Sequence, residues 1–91
     1  MKVKPDKTVR LLKILGKQGT LAILDLISNN PKRYNQLKIT CASDKTLSFR
    51  LKELEENELI STISLKSEGR NRIFYQITQK GKEILEQIGR L

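Results

Sequence analysis

Leu47, Leu51 and Leu54 recur four and then three residues apart in SDKTLSFRLKELEEN, Ser43 to Asn57, a spacing that stacks them on one side of an α-helix. A helix with one apolar stripe must lay it against a core, so the rest of the chain has to supply that surface. Ser43 stands where the free amides of Lys45 and Thr46 need a cap, and Asp44 adds negative charge to the first turn, so the helix starts there. At about 100° per residue, the side opposite the leucines carries Lys45, Phe49 and Lys52, with Thr46 on the adjoining flank. Phe49 has two readings there: burial against a neighbouring helix or a second subunit, or contact with thymine methyl groups. Charge is sorted lengthwise. Asp44, Lys45, Arg50 and Lys52 leave the first part net positive, whereas Glu53, Glu55, Glu56 and Glu58 make the end acidic. Only the N-terminal part can lie against phosphates, although a helix with such charges, taken alone, also fits a solvated face.

Composition narrows the classes. Eighteen Lys and Arg against ten Asp and Glu give a net charge of +8, which attracts a polyanion such as nucleic acid or an acidic membrane surface. There is no histidine and one cysteine, so neither an internal disulfide nor the usual zinc or acid–base sets can form; no enzyme, metal or cofactor is expected. No run of about 18 apolar residues exists, and MKVKPDK is not followed by a signal-peptide core. The 91 residues are therefore read as a single cytoplasmic, nucleoid-associated domain without a membrane partner. Cys41, just ahead of the helix, is read as a small turn residue or as an oxidation-sensitive one.

The remaining segments fall into order around that helix. Lys2, Lys4, Lys7, Arg10, Lys13 and Lys17 face Asp6 alone in a basic amphipathic helix with Pro5 near its start and Gly16 at its end. Leu11, Ile14 and Leu15 share one side and Val9 and Leu12 another, more apolar surface than one contact needs, which fits equally dimerisation through this helix and cover for its own core. Thr20 is expected to cap LAILDLISNN, in which Ile23, Leu24, Leu26 and Ile27 are buried and Asn29, Asn30 and Pro31 end the helix. Lys32, Arg33 and Tyr34 lead into a short helix from Asn35 to Thr40 with Leu37 inward, and Cys41 and Ala42 make the turn of a helix-turn-helix. LISTISL alternates with period two from Leu59, and RIFYQI pairs with it across KSEGRN, where Gly69 forms the turn and Lys66, Arg70 and Arg72 make the hairpin basic. Thr78 caps a last helix, Gln79 to Arg90, whose Ile84, Leu85, Ile88 and Leu91 form a second candidate dimerisation stripe or pack against residues 8–15 of the same chain, two roles that do not exclude each other. The expected fold is α+β, mainly helical: a winged helix-turn-helix with a three-helix core, a two-stranded β-wing and a C-terminal helix.

With this order and the stretches GTLAILDLISNNPKRYNQL, DKTLSFRLKELEENELI and RIFYQITQKGKEIL, the chain resembles winged-helix transcription regulators of the MarR superfamily, most closely the HxlR-type branch, over about residues 19–85. The resemblance implies DNA binding. Carried over residue by residue, it sets Lys45, Thr46, Phe49 and Arg50 against groove or phosphates and Arg70 and Arg72 on the wing. The chain departs from the family at Gly19, where a tryptophan often stands, and in a turn from Leu37 to Ser43 that is one or two residues shorter. It is also too short for the aromatic-lined pocket of the longer relatives, which argues against a small-molecule effector. The branch's N-terminal redox cysteine has no counterpart, since Cys41 lies in the helix-turn-helix.

The sequence thus predicts a homodimeric, sequence-specific regulator of double-stranded DNA, on inverted half-sites ~10 base pairs apart. Lys45, Thr46, Phe49 and Arg50 would serve the major groove, Arg70 and Arg72 the minor groove, and Lys32, Arg33 and Lys38 the backbone, with Asn35, Ser43 and Lys66 completing the candidate set. The rivals are an architectural DNA-binding protein with little sequence preference and a winged-helix module that binds another protein through Phe49.

Overall fold

The computed structural model describes residues 5–89, so Lys2, Lys4, Arg90 and Leu91 lie outside the described residues. The elements run α1 (Pro5–Leu15), α2 (Thr20–Ile27), α3 (Tyr34–Leu37), a 3-10 turn (Lys38–Thr40), α4 (Asp44–Glu56), β1 (Ile60–Ser67), β2 (Arg70–Ile77) and α5 (Gln79–Gly89). Pro5 opens α1, where its fixed φ suits a first helical position. One core joins Ile14 of α1, Ile23, Leu24 and Ile27 of α2, Leu37 of α3, the three leucines of α4, and Leu59 and Ile60. This is the expected mainly helical winged helix-turn-helix with its two-stranded wing.

Two helix starts differ in kind. Thr20 does not cap α2 as its position in the sequence suggests: it is the first helical residue, fully buried, and its Oγ1 has no hydrogen-bond partner among the described residues. The chain turns one residue earlier, at Gly19, whose φ of 88° is left-handed and whose missing side chain leaves room for Cys41 Sγ and the Thr40 main-chain oxygen. Thr78 does cap α5: its hydroxyl accepts from Gly81 N at 3.0 Å and donates to the main-chain oxygen of Glu58 at 2.7 Å.

On α1 the side made by Leu11, Ile14 and Leu15 takes the second of its two expected roles, cover for this chain's own core. Ile14 is only 4% exposed, and Leu11 and Leu15 pack against the core. They therefore cover this chain's own interior and leave Val9 and Leu12, 49% and 64% exposed, as the free apolar side. Ile84 and Leu85 of α5 likewise pack on the core, with Ile88 half-buried.

β1 and β2 pair antiparallel from Ile60↔Ile77 to Ser67↔Arg70, joined by Glu68 and Gly69 at φ 55° and 77°. Two positive φ values in a two-residue loop make a type I′ turn, whose twist suits a hairpin. The strand starts one residue later than the alternation from Leu59 implied. Leu59 sits in the loop with its amide on Leu54 O, and is buried together with Ile60. Lys32 adds a short third edge: its amide donates to Tyr75 O at 2.9 Å and its carbonyl accepts from Tyr75 N at 2.7 Å.

Candidate nucleic-acid interface

α4 is held from three sides. Its leucine stripe, Leu47, Leu51 and Leu54, is buried. At its start Ser43 is extended, its Oγ accepting the amide of Thr46 at 3.1 Å and donating to Thr46 Oγ1 at 3.0 Å. The cap satisfies an amide that the helix leaves unpaired. Asp44 in the first turn lies 3.7 Å from Lys38 Nζ, an exposed pair worth well under ~1 kcal/mol.

The outer face of the N-terminal half is open. Lys45, Ser48, Phe49 and Lys52 line a shallow concavity, with Phe49 59% exposed and Thr46 half-buried beside it. An apolar ring that large, left in solvent between two lysines, has the composition of a surface that meets a partner both apolar and anionic.

Arg50 does not join that group. Its side chain is 19% exposed; Nε donates to the main-chain oxygen of Gln18 at 3.1 Å, and Nη1 lies 3.5 Å from Glu53 Oε1. Lys17 pairs with the other Glu53 oxygen. Setting Leu47 at zero, Arg50 sits near 300° on the helical wheel, the flank facing the connector between α1 and α2. Its charge is engaged within the chain, which corrects the sequence-based placement of Arg50 against groove or phosphates.

The wing separates its own cations. In an antiparallel pair alternate residues share a face, so Arg70 and Arg72 lie with Phe74 on one side and Lys66 on the other. Arg70, beside the turn, is exposed. Arg72 is tied back, Nε 3.4 Å from Ser67 O and Nη2 3.6 Å from Glu68 Oε2. Phe74 and Ser67 meet Arg33, Asn35 and Gln36 in a second concavity between the start of α3 and the wing. The structure thus brings Arg33 and Asn35 to the Arg70 side of the hairpin, while Lys32 is half-buried at the bridge to Tyr75 and Lys38 is occupied by Asp44. Reading the sequence missed Gln36, Ser67 and Phe74, none of which carries a charge that singles it out, and Tyr34, whose hydroxyl reaches α4.

Among the described residues no cluster of His, Cys, Asp or Glu could hold a metal, and no helix is long and apolar enough to cross a membrane. Tyr75, at the root of the wing, has its phenol pushed above the ordinary value by burial first, then by the Glu55 carboxylate and Tyr34.

The sequence model of the family described as HxlR-like helix-turn-helix matches residues 14–91. Over 70 residues the chain is 36% identical to the HTH-type transcriptional regulator YodB of Bacillus subtilis, a match covering 75% of this chain and 62% of the relative. Over 81 residues it is 35% identical to the uncharacterized HTH-type transcriptional regulator MJ0925 of Methanocaldococcus jannaschii, covering 82% and 69%. The solved structure of reduced B. subtilis YodB superposes with a TM-score of 0.82 at 28% identity, covering 99% of this chain and 87% of that one. The matched part of the B. subtilis regulator is thus less than two thirds of its length.

Proposed function

The chain belongs to the HxlR-like helix-turn-helix family, whose matched relatives are transcriptional regulators and not enzymes, and from that premise we propose that it binds double-stranded DNA sequence-specifically as a homodimer on an inverted repeat. The observation that carries this reading is the outer face of α4: Phe49 stands open between Lys45 and Lys52 on a helix whose other side is fully buried. Lys45, Thr46 and Phe49 enter the major groove, the phenyl ring against thymine methyls and the lysines on base edges or phosphates. Arg70, exposed at the wing tip, enters the adjacent minor groove, while Arg72 braces the turn beneath it. Lys32, Arg33, Asn35, Lys38, Ser43 and Lys66 serve the phosphate backbone from two sides, and Arg50 holds α4 in place from behind.

Dimerisation would use the sides that the core leaves over, Val9 and Leu12 of α1 with Ile88 of α5. Two-fold symmetry then spaces the recognition helices about one turn of DNA apart, ~10 base pairs.

The test is selection of bound duplexes from a random pool at near-physiological salt. An enriched inverted repeat is expected. The charge of +8 favours one rival, architectural coating of DNA, and that reading wins if the retained duplexes share no motif and binding falls equally steeply with salt for all of them. A chain that retains no duplex even at low salt would instead be a protein-binding winged helix.

A further inference from the structure

Tyr34 opens α3, and its hydroxyl lies 3.0 Å from the main-chain oxygen of Asp44 and 3.0 Å from Ser48 Oγ. Both partners belong to α4 and sit one turn apart. A phenol has one proton and can also accept, so the arrangement that satisfies every group has Tyr34 donating to Asp44 O and accepting from Ser48. Ser48 is the immediate neighbour of Phe49 and lines the same concavity. On its other side Tyr34 follows Lys32 by two residues, and Lys32 is bonded through both backbone groups to Tyr75 at the root of the wing. Arg33 N donates to Gln36 Oε1 at 2.9 Å, which holds the start of α3 between those two anchors.

We propose that Tyr34 is a positioning residue for DNA reading, fixing the rotation of the recognition helix relative to the wing through its hydroxyl contacts with Asp44 O and Ser48. The physical need is clear from the rest of the helix. The leucine stripe determines which side of α4 faces inward, but apolar burial is non-directional and tolerates small rotations. A hydrogen bond tolerates only a few tenths of an ångström. At the ~5 Å radius of the side chains, a rotation of about 10° moves an outer group by about 1 Å, enough to spoil a contact with a base edge. Beside the Arg50 contact to Gln18 O on the other flank, Tyr34 therefore supplies a directional restraint that the core lacks, and it links the two elements that would read adjacent grooves.

The inference rests on the DNA-binding reading for its consequence but not for its mechanical part, and the experiment separates the two. Tyr34→Phe keeps the ring and removes only the hydroxyl. Two readouts are taken: relaxation-dispersion NMR of the α4 amides in the free protein, and affinity for the selected duplex and for a scrambled one across a salt series. New exchange along α4 is expected, with affinity for the selected duplex down about five- to ten-fold while scrambled-duplex affinity and salt slope stay unchanged, because no phosphate contact is lost. Ser48→Ala combined with Tyr34→Phe should cost no more than Tyr34→Phe alone. An unchanged α4 in the free variant overturns the proposal, as does an equal loss on both duplexes, which marks a merely structural role. If α4 loosens but the wild-type protein enriches no motif, the positioning holds and the DNA-reading assignment is what fails.

Discussion

The recognition helix and the wing are built to opposite standards of restraint. α4 is fixed by three buried leucines, a serine cap, the Tyr34 hydroxyl, and the Arg50 and Glu53 contacts to the α1–α2 connector. Among the described residues the hairpin is anchored mainly at its root, by Ile60, Tyr75 and the bridge to Lys32, and beyond Ile63 and Phe74 most residues of its distal half are exposed. The difference teaches a division of labour. On the DNA-binding function proposed above, base readout needs side chains held within a fraction of an ångström and a minor-groove arginine has to fit the groove width, so a helix tied on several sides beside a hairpin exposed at its tip suits both tasks.

Substitutions in the two regions should therefore fail in different ways. The largest effect is at the inner face of α4: Leu54→Ala leaves a cavity in the core and should cost about 3 kcal/mol in urea unfolding, with DNA binding lost alongside stability. An unfolding midpoint within error of wild type would break the claim that the stripe carries the helix. Arg50→Ala removes a charged hydrogen bond to a carbonyl and should cost about 1–2 kcal/mol. Arg70→Ala should leave the melting temperature unchanged and lower DNA affinity, which is the contrast between brace and reader in a single pair of variants.

At the wing tip the backbone decides. Glu68 is a non-glycine residue at φ 55° in a type I′ turn, a conformation that Asn adopts more readily, so Glu68→Asn should stabilise the protein by about 0.5–1 kcal/mol. The exposed Arg72–Glu68 pair lost in the exchange offsets little of that gain. The smallest effect is at the root. Because the Tyr75 phenol is raised above its ordinary value in the folded state, its contribution is complete below pH about 10 and is lost as pH climbs beyond that toward the folded value. Urea midpoints of wild type and Tyr75→Phe should differ by a constant amount at pH 7–9 and shift against wild type above pH 10; a constant difference throughout would contradict the assignment.

What the sequence made legible was local. The 3.6-residue stripe of α4, the Ser43 and Thr78 caps, and the positive-φ glycine at position 69 all follow from neighbours within four residues. What it concealed was contact between distant segments. Nothing near Arg50 says that Gln18, 32 residues away, offers a carbonyl, nor that Tyr34 lies over Asp44 and Ser48. α1 shows the limit most plainly: two apolar sides satisfy the same periodicity, and only the packed core decides that Ile14 goes inward while Leu12 stays out. Thr20 shows another, since a residue suited to capping is displaced from that role when the chain turns at Gly19.

The most direct test is to compare Phe49→Ala with Arg50→Ala on the duplex that the wild-type protein selects, recording base preference and melting temperature for each. The outer-face account predicts that Phe49→Ala loses about five- to ten-fold in affinity at one thymine-bearing position with an unchanged melting temperature, while Arg50→Ala melts lower and keeps its base preference. A variant at Arg50 that changes which base is preferred, with Phe49→Ala inert, would contradict it.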